Sequence, residues 1–532
     1  MEQKTKNKKI WIYGLLVLII ALGLFMRVHS INQAPPGVYP DEAVNGMDAA
    51  TAEMTGHYQW FYPANNGREG LFMNLIAFCF KFFGVSVLSL KLPSIIFGTL
   101  AIWGMYLLGK ELFKKDSVGL IGAFLMAVSF YPLNFSRIAF RGILLPFVLV
   151  FAFYFLLRAV RTKKWLDFIL AGAFFGLGIH TYIAFRIAPA ILAVLLISFI
   201  LSHENFLKEY WKKILVYAIA TTVIVAPMLY TFYVHPDYLF ARTSEISVFS
   251  PQVNHGHLAT ELLKTAGLSL GKYNFWGDQN WRQNYPPYPV LDFLTGIAFL
   301  FGLIYSIIQL VHFLKLRFKD KIRDPRLDVY VLLLSWFFIM LVPEFLSDEG
   351  LPHALRSIGS MPVALIFAAL TFSYFYDHVA EHSYMYKKVV RSLLIIILVF
   401  IGVFNYVKYF GFWANNPKTA SAFNKNLMEV SSYVKTIPAR EDKFVIAESM
   451  QRIPIELFNI GLPNTHYVYP GQLDQINPQN KNNFEVILTD RDETVISALE
   501  QRFPNLKFSE TRDSLGMSYY TLSPNIATAG NN

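Results

Sequence analysis

The sequence predicts an all-α, multi-span membrane bundle of about 11 helices, followed by a small α/β domain outside the membrane. Three observations carry this. The chain has 532 residues, of which 54% are hydrophobic and only 16% charged, where soluble domains carry about a quarter. Its mean hydropathy is +0.38, and its apolar residues gather in long runs separated by short basic stretches. After Phe410 the composition turns polar, and residues 411–532 hold no apolar run of membrane length.

A helix needs about 20 apolar residues to cross a bilayer. Runs that reach or approach this lie at roughly 10–26, 90–109, 117–134, 142–158, 166–180, 186–202, 213–233, 291–313, 328–346, 358–376 and 390–409. The first run follows a lysine-rich start and ends at Arg27 with no small-x-small cleavage site, so it reads as an uncleaved span. Residues 70–84 form a shorter apolar stretch, interrupted by Asn74 and Lys81. Charge decides its place. If it does not cross, the basic N-terminus, Lys110–Lys115, Arg158–Lys164, Lys208–Lys213, Lys315–Arg326 and Lys387–Arg391 all fall on one side. Basic short loops face the cytoplasm, so 70–84 is expected to lie along the membrane, with the N-terminus cytoplasmic and the C-terminus extracytoplasmic. Segments 27–89, 134–141, 181–185, 234–290, 347–357 and the tail then share the outer side of the membrane.

The tail shows strand-like runs at Phe444–Ala447, His466–Val468, Phe484–Leu488 and Ser518–Leu522. Helix-like segments lie between them, at Thr419–Val434 and Glu493–Arg502. Two domains follow: a membrane domain, residues 1–410, with a first outer loop at 27–89, and an α/β domain, residues 411–532. Several functions are set aside. The net charge is +10, but the cations sit between spans, where they set topology and meet anionic headgroups, so no nucleic-acid partner is expected. Cys79 is the single cysteine, so there is no intrachain disulfide and no cysteine metal site. Neither GxGxxG nor GxxxxGK[ST] occurs, so no nucleotide is expected.

The outer loops hold the residues that can carry chemistry. Asp41 and Glu42 follow Pro40 in the first loop, close to the membrane. Adjacent carboxylates there are candidates for a general base or metal ligands, and Asp after Pro is equally a helix N-cap. The two readings are compatible. In residues 65–70, Arg68 is a candidate phosphate partner and Glu69 a second acid; the alternative is a solvated loop with Glu at a helix start. Arg137, Arg141, Arg186, Arg242 and Arg356 recur on the outer side. Their planar forks suit phosphate oxygens, and snorkelling to headgroups is the competing role. His180 and His353 are candidate ligand contacts. His255 and His257 have the spacing of a metal pair, but without further ligands they argue against a metal site. Residues 276–289 (WGDQNWRQNYPPYP) read as an interfacial lid or as aromatic-belt anchors.

These motifs resemble a known family. PPGVYPDEA at 35–43, Arg68-Glu69 before the 70–84 helix, Ser136-Arg137 through Arg141, His180-Thr-Tyr182 through Arg186, and His353-Ala-Leu-Arg356 are similar to the GT-C glycosyltransferases. The closer likeness is to the bacterial protein-mannosyltransferase branch, glycosyltransferase family 39, which includes aminoarabinose transferases. The resemblance covers roughly residues 10–410 and implies a GT-C fold with juxtamembrane helices in the first loop. It implies a sugar donor linked to polyprenyl phosphate, an extracytoplasmic protein, lipid or glycan acceptor, and Asp41 as leading base, with Glu42 and Glu69 as companion acids. Arg68, Arg137, Arg141, His180, Arg186, His353 and Arg356 then become candidates for the lipid phosphate and sugar. A divalent cation, Mg²⁺ or Mn²⁺, held by Asp41 and Glu69 is a candidate cofactor. The competing classes are a transporter or flippase of lipid-linked sugar and a non-catalytic envelope-assembly protein. No internal repeat of the kind transporters show is present, and the unusual charges cluster outward rather than mid-span.

Overall fold

A backbone in hydrocarbon must satisfy its own hydrogen bonds, so the apolar runs become helices. The computed structural model describes residues 2–65, 67–240, 248–249, 256–347, 350–378, 383–480 and 483–524; Arg242 and His255 lie outside these. Among the described residues, nine helical stretches are long and apolar enough to cross a membrane, from Lys9–Val28 to Met385–Trp413. Two of the expected runs form helices shorter than this. The helix Asp116–Val128 stops at Ser129, whose extended backbone (ψ 144°) breaks the turn, and the chain resumes as Phe130–Phe135. The helix Trp165–Leu177 tightens into a 3₁₀ turn at Gly178–His180. Thirteen residues rise only about 20 Å, short of a hydrocarbon core of about 30 Å. The 70–84 stretch is likewise a 13-residue helix, Leu71–Phe83.

The chain divides into two compact units: residues 1–29, 58–74 and 91–409, and residues 30–57, 75–90 and 410–532. Parts of the first loop, expected with the membrane domain, are therefore grouped with the tail.

In the larger unit, glycines let helices approach closely, as small residues do in membranes. A Cβ at Gly302 would stand 1.9 Å from the Phe367 carbonyl, and one at Gly172 would stand 2.4 Å from that of Tyr217. The basic stretches share one end of this bundle. There Arg161 holds Glu111 through bonds of 2.6 and 2.9 Å, Lys115 pairs with Asp377 at 2.8 Å, and Arg317 donates to the Leu201 carbonyl. Asp328 accepts from Ser198 and Ser202 at the same end.

The smaller unit is built on a five-stranded sheet. Two short strands precede it in the chain, β1 (Phe61–Tyr62) and β2 (Arg68–Glu69), both in the larger unit. The sheet comprises β3 (Asp442–Ile446), β4 (Thr465–Val468), β5 (Phe484–Leu488), β6 (Leu506–Arg512) and β7 (Ser518–Pro524) in the order β4-β3-β5-β7-β6. β3 is parallel to β4 and β5, and β7 is antiparallel to β5 and β6. The helix Lys425–Val434 buries Leu427, Val430 and Val434 against Val445 and Ile487. Phe444, Ile446, Val486 and Leu488 form the opposite core with Val495, Ile496 and Leu499 of the helix Glu493–Arg502. The helix Thr419–Val434 expected from sequence is two, Pro417–Ala422 and Lys425–Val434, broken at Asn424 with φ +48°. β6 and the helix Ser449–Phe458 were not expected.

Candidate active site

β1 and β2 form a hairpin that pairs Phe61 with Glu69 and Tyr62 with Arg68. Gly67, with φ +81°, turns the chain back with its Cα against the Phe61 ring, where a Cβ would meet the ring at 2.6 Å. Arg68 and Glu69 are 1% and 3% exposed, so the solvated-loop reading is corrected: pairing with β1 withdraws both from water. Glu69 Oε2 accepts from Arg141 Nε at 2.6 Å, with both side chains buried. The Arg141 guanidinium also lies over the rings of Phe140 and Tyr182.

Arg186 stands within electrostatic reach of Glu69 and Arg141. It donates to the Leu239 carbonyl at 2.5 Å and covers the Phe232 ring. Among the described residues no carboxylate pairs with it. His180 also feels Glu69. Its Nε2 donates to the Ile224 carbonyl at 2.8 Å, its Nδ1 is buried without a partner among the described residues, and Trp60 lies against its ring. Glu69, Arg141, Arg186 and His180 are thus brought together, two fixed cations against one anion. Arg68 sends its Nε to the Ala64 carbonyl.

Asp41 and Glu42 belong to the other unit, on the helix Pro40–Thr55. The N-cap expected at Asp41 is corrected to Tyr39: proline, with its preset φ, takes the first helical position, and Asp41 follows it. Both acids stand in the first turn, where the helix dipole favours them. The helix is fastened to the tail. Gly46 lies against Leu457, where a Cβ would come within 2.5 Å, and a Cβ at Gly37 would meet the Phe423 carbonyl at 2.2 Å. Tyr39 packs edge-on against Phe423. Asp41 is half-buried and Glu42 fully buried.

Glu69, a candidate metal ligand with Asp41, already has a partner. Its carboxylate is held by Arg141, and among the described residues no three His, Cys, Asp or Glu side chains converge on a metal-sized site.

Other residues singled out from sequence have different places. Arg137 donates to the carbonyls of Met26 and His29 at 2.6 and 2.7 Å, closing the C-terminus of the first helix. Arg356 donates to Ser347 Oγ at 2.7 Å, and the His353 amide donates to Glu344 Oε1 at 2.9 Å. They border a buried network that the sequence did not reveal. Lys272 binds both Glu344 and Ser357 and is fully buried with Glu344. Tyr131 donates to the Ala354 carbonyl. Asp278 accepts from the amides of Ala354 and Asn280, each at 2.7 Å. The 276–289 segment, read as a lid or as aromatic-belt anchors, is pinned from within by Asn284, which donates to the carbonyls of Asp278 and Tyr288, and from outside by Asn134, which donates to that of Arg282. Arg27 was missed as well. It is buried and donates to the carbonyls of Gly23, Met126 and Ala127.

Burial pushes the Asp278 carboxyl up to about 7, against the pull of its two amide donors. An unfolded aspartate titrates near about 3.9, so between these values the folded state holds a proton that the unfolded state has lost. The resulting stability is full below the unfolded value and is lost as pH rises through about 7. Thermal unfolding midpoints from pH 4 to 8 are expected to fall for the native protein and to fall less for Asp278→Asn. Equal slopes would refute the assignment.

Fold and site together define a multi-span membrane protein with a small α/β unit, and comparisons with known proteins show what this fold is similar to. Residues 71–230 match the family model described as dolichyl-phosphate-mannose-protein mannosyltransferase. The structure is similar to ArnT from Cupriavidus metallidurans in the apo state, with TM-score 0.58 and 12% identity over 98% of this chain and 99% of that one. The same protein bound to undecaprenyl phosphate gives TM-score 0.52 and 11% identity, over 99% of each chain. Apo oligosaccharyltransferase from Archaeoglobus fulgidus gives TM-score 0.52 and 16% identity, over 95% of this chain and 70% of that one. No curated protein sequence matches the chain. The resemblance read in the outer-loop motifs is borne out at the level of the GT-C fold.

Proposed function

We propose that this protein is an integral membrane glycosyltransferase that moves a sugar from a polyprenyl-phosphate donor to an acceptor hydroxyl outside the cell membrane. The observation that carries this is the cluster of Arg141 and Arg186 around the single buried carboxylate of Glu69. Its excess positive charge, at the end of the bundle away from the basic loops, suits an anionic lipid phosphate. The ArnT relative bound to undecaprenyl phosphate supports the donor class. The acceptor stays a protein, lipid or glycan; an acceptor peptide is tethered in one oligosaccharyltransferase relative.

The reaction is a single displacement. The acceptor oxygen attacks the anomeric carbon and gives its proton to a carboxylate base, the part that the resemblance of the 35–43 motif implies for Asp41. The bond between that carbon and the phosphate oxygen breaks, and polyprenyl phosphate leaves with the electron pair. Arg186 meets the negative charge that develops on it, while Glu69 holds Arg141 in place. His180 Nδ1, a buried acceptor, is suited to a sugar hydroxyl.

The test incubates purified protein with polyprenyl-phosphate sugars and candidate acceptors and follows release of polyprenyl phosphate. Release supports the reading. No release from folded protein with any donor would turn the assignment toward a transporter or an assembly protein. Arg186→Gln is expected to lower kcat/KM about 10- to 100-fold, the loss of one charge-assisted contact of ~1.5–3 kcal/mol, with a fall in kcat because the contact strengthens as charge develops on the leaving phosphate. An unchanged kcat/KM would remove Arg186 from the phosphate site.

A further inference from the structure

The tail domain contains a cavity of about 510 Å³ at one end of its sheet. β5 ends at Leu488, and Thr489, Asp490 and Arg491 follow it into the cavity wall; β6 arrives there with Glu510 and Arg512, and β7 departs with Ser518 and Tyr520. From β3 the chain passes through the helix Ser449–Phe458 to β4 on one side, then crosses to β5 on the other. The carboxyl ends of β3 and β5 therefore flank a topological switch point, the place where open α/β sheets bind ligands. Gln451 bridges it, donating to Asp490 Oδ2 at 2.5 Å and accepting from Thr489 Oγ1 at 3.0 Å. Asn426 donates to the Thr489 carbonyl from the other side.

The chemistry of the wall selects the ligand. Helix N-termini at such a point commonly hold phosphate. Here carboxylates occupy both. Glu448 caps the helix Ser449–Phe458 in a reciprocal pair with Gln451, and Asp492 accepts from the amides of Thr494 and Val495. In the lining itself Asp490 and Glu510 are balanced by Arg491 and Arg512, so the wall offers no excess of cations to an anion and suits a neutral ligand. The remaining lining is amide, carboxylate, guanidinium and hydroxyl, groups that present paired donors and acceptors to neighbouring hydroxyls. It includes the Tyr520 ring, stacked with Phe508 at 5.8 Å and 13°; an aromatic face with a polar tip suits the C–H face of a pyranose.

We propose that this cavity is a binding site for a neutral oligosaccharide. The claim does not rest on the transferase reading, because binding here needs no donor and no transfer.

Saturation-transfer NMR on the full-length protein, in lipid nanodiscs free of sugar-headed detergent, tests it with mannotriose, chitotriose, maltotriose and ADP as probes. At least one trisaccharide is expected to receive saturation from the native protein. Its affinity is expected to fall at least about tenfold, ~1.4 kcal/mol, in Gln451→Ala and in Glu510→Ala, whose side chain is exposed and whose loss leaves the unfolding midpoint in place. No saturation of any trisaccharide, equal saturation in the variants, or competition by ADP would each overturn the proposal.

Discussion

Asp41→Asn is expected to lower sugar transfer by about 10²–10⁴-fold, the usual contribution of a positioned base, with the protein still folded. Asparagine keeps the size and polarity of the side chain but cannot take the acceptor's proton. The fold tolerates the change because Asp41 is half-buried in a first helical turn. The loss of its charge there forfeits about 0.3–1 kcal/mol of helix-dipole stabilisation. The helix itself is held elsewhere, by Gly46 on Leu457 and by Tyr39 on Phe423. Initial rates of polyprenyl-phosphate release, with unfolding midpoints alongside, decide the matter. Asp41→Glu is expected to recover part of the rate, with a pH profile still governed by one carboxylate. Full activity in Asp41→Asn would move the base to another residue, and a protein that fails to fold would make Asp41 a structural residue.

The second large effect is on stability. Glu344→Ala is expected to destabilise the protein by about 3–5 kcal/mol, because it leaves the buried Lys272 without its counter-charge. Both side chains are wholly inaccessible to water, and Ser357 cannot replace a carboxylate. The His353 amide loses its acceptor as well. The double variant Lys272→Met with Glu344→Leu is expected to recover most of the loss, since apolar groups of similar size can replace a buried ion pair at little or no cost. The measurement is thermal unfolding of the single and double variants in the same detergent. A Glu344→Ala midpoint equal to that of the native protein would show that Lys272 is neutral or finds another partner.

Much of the fold was legible because the signals are local. Long apolar runs predicted the spans, and the distribution of lysine and arginine predicted which loops share an end, as the contacts Lys115–Asp377 and Arg317–Leu201 bear out. The helix Glu493–Arg502 has the bounds read from its pattern. β6 escaped because its residues after Leu506 are mostly exposed and polar, so no apolar alternation marks an edge strand of this kind. The hairpin of β1 and β2 escaped because two-residue strands have no period to detect.

The candidate site divides along the same line. Its residue types were legible: an acidic pair after proline, and arginines before or after apolar runs. Their partners were not. Arg137 and Arg141 lie four residues apart with the same apparent promise, yet one donates to backbone carbonyls of the first helix and the other to Glu69. Lys272 and Glu344 stand 72 positions apart, and neither lies in a motif that marks it. The sequence by itself determined where helices form, which charges border the membrane and which acids are available, since hydropathy and helical period act over a few neighbouring residues. Only the tertiary structure decided which of those charges are desolvated and which find a partner, because the energy of a charge depends on the distance in space to its counter-charge and on the water removed from both.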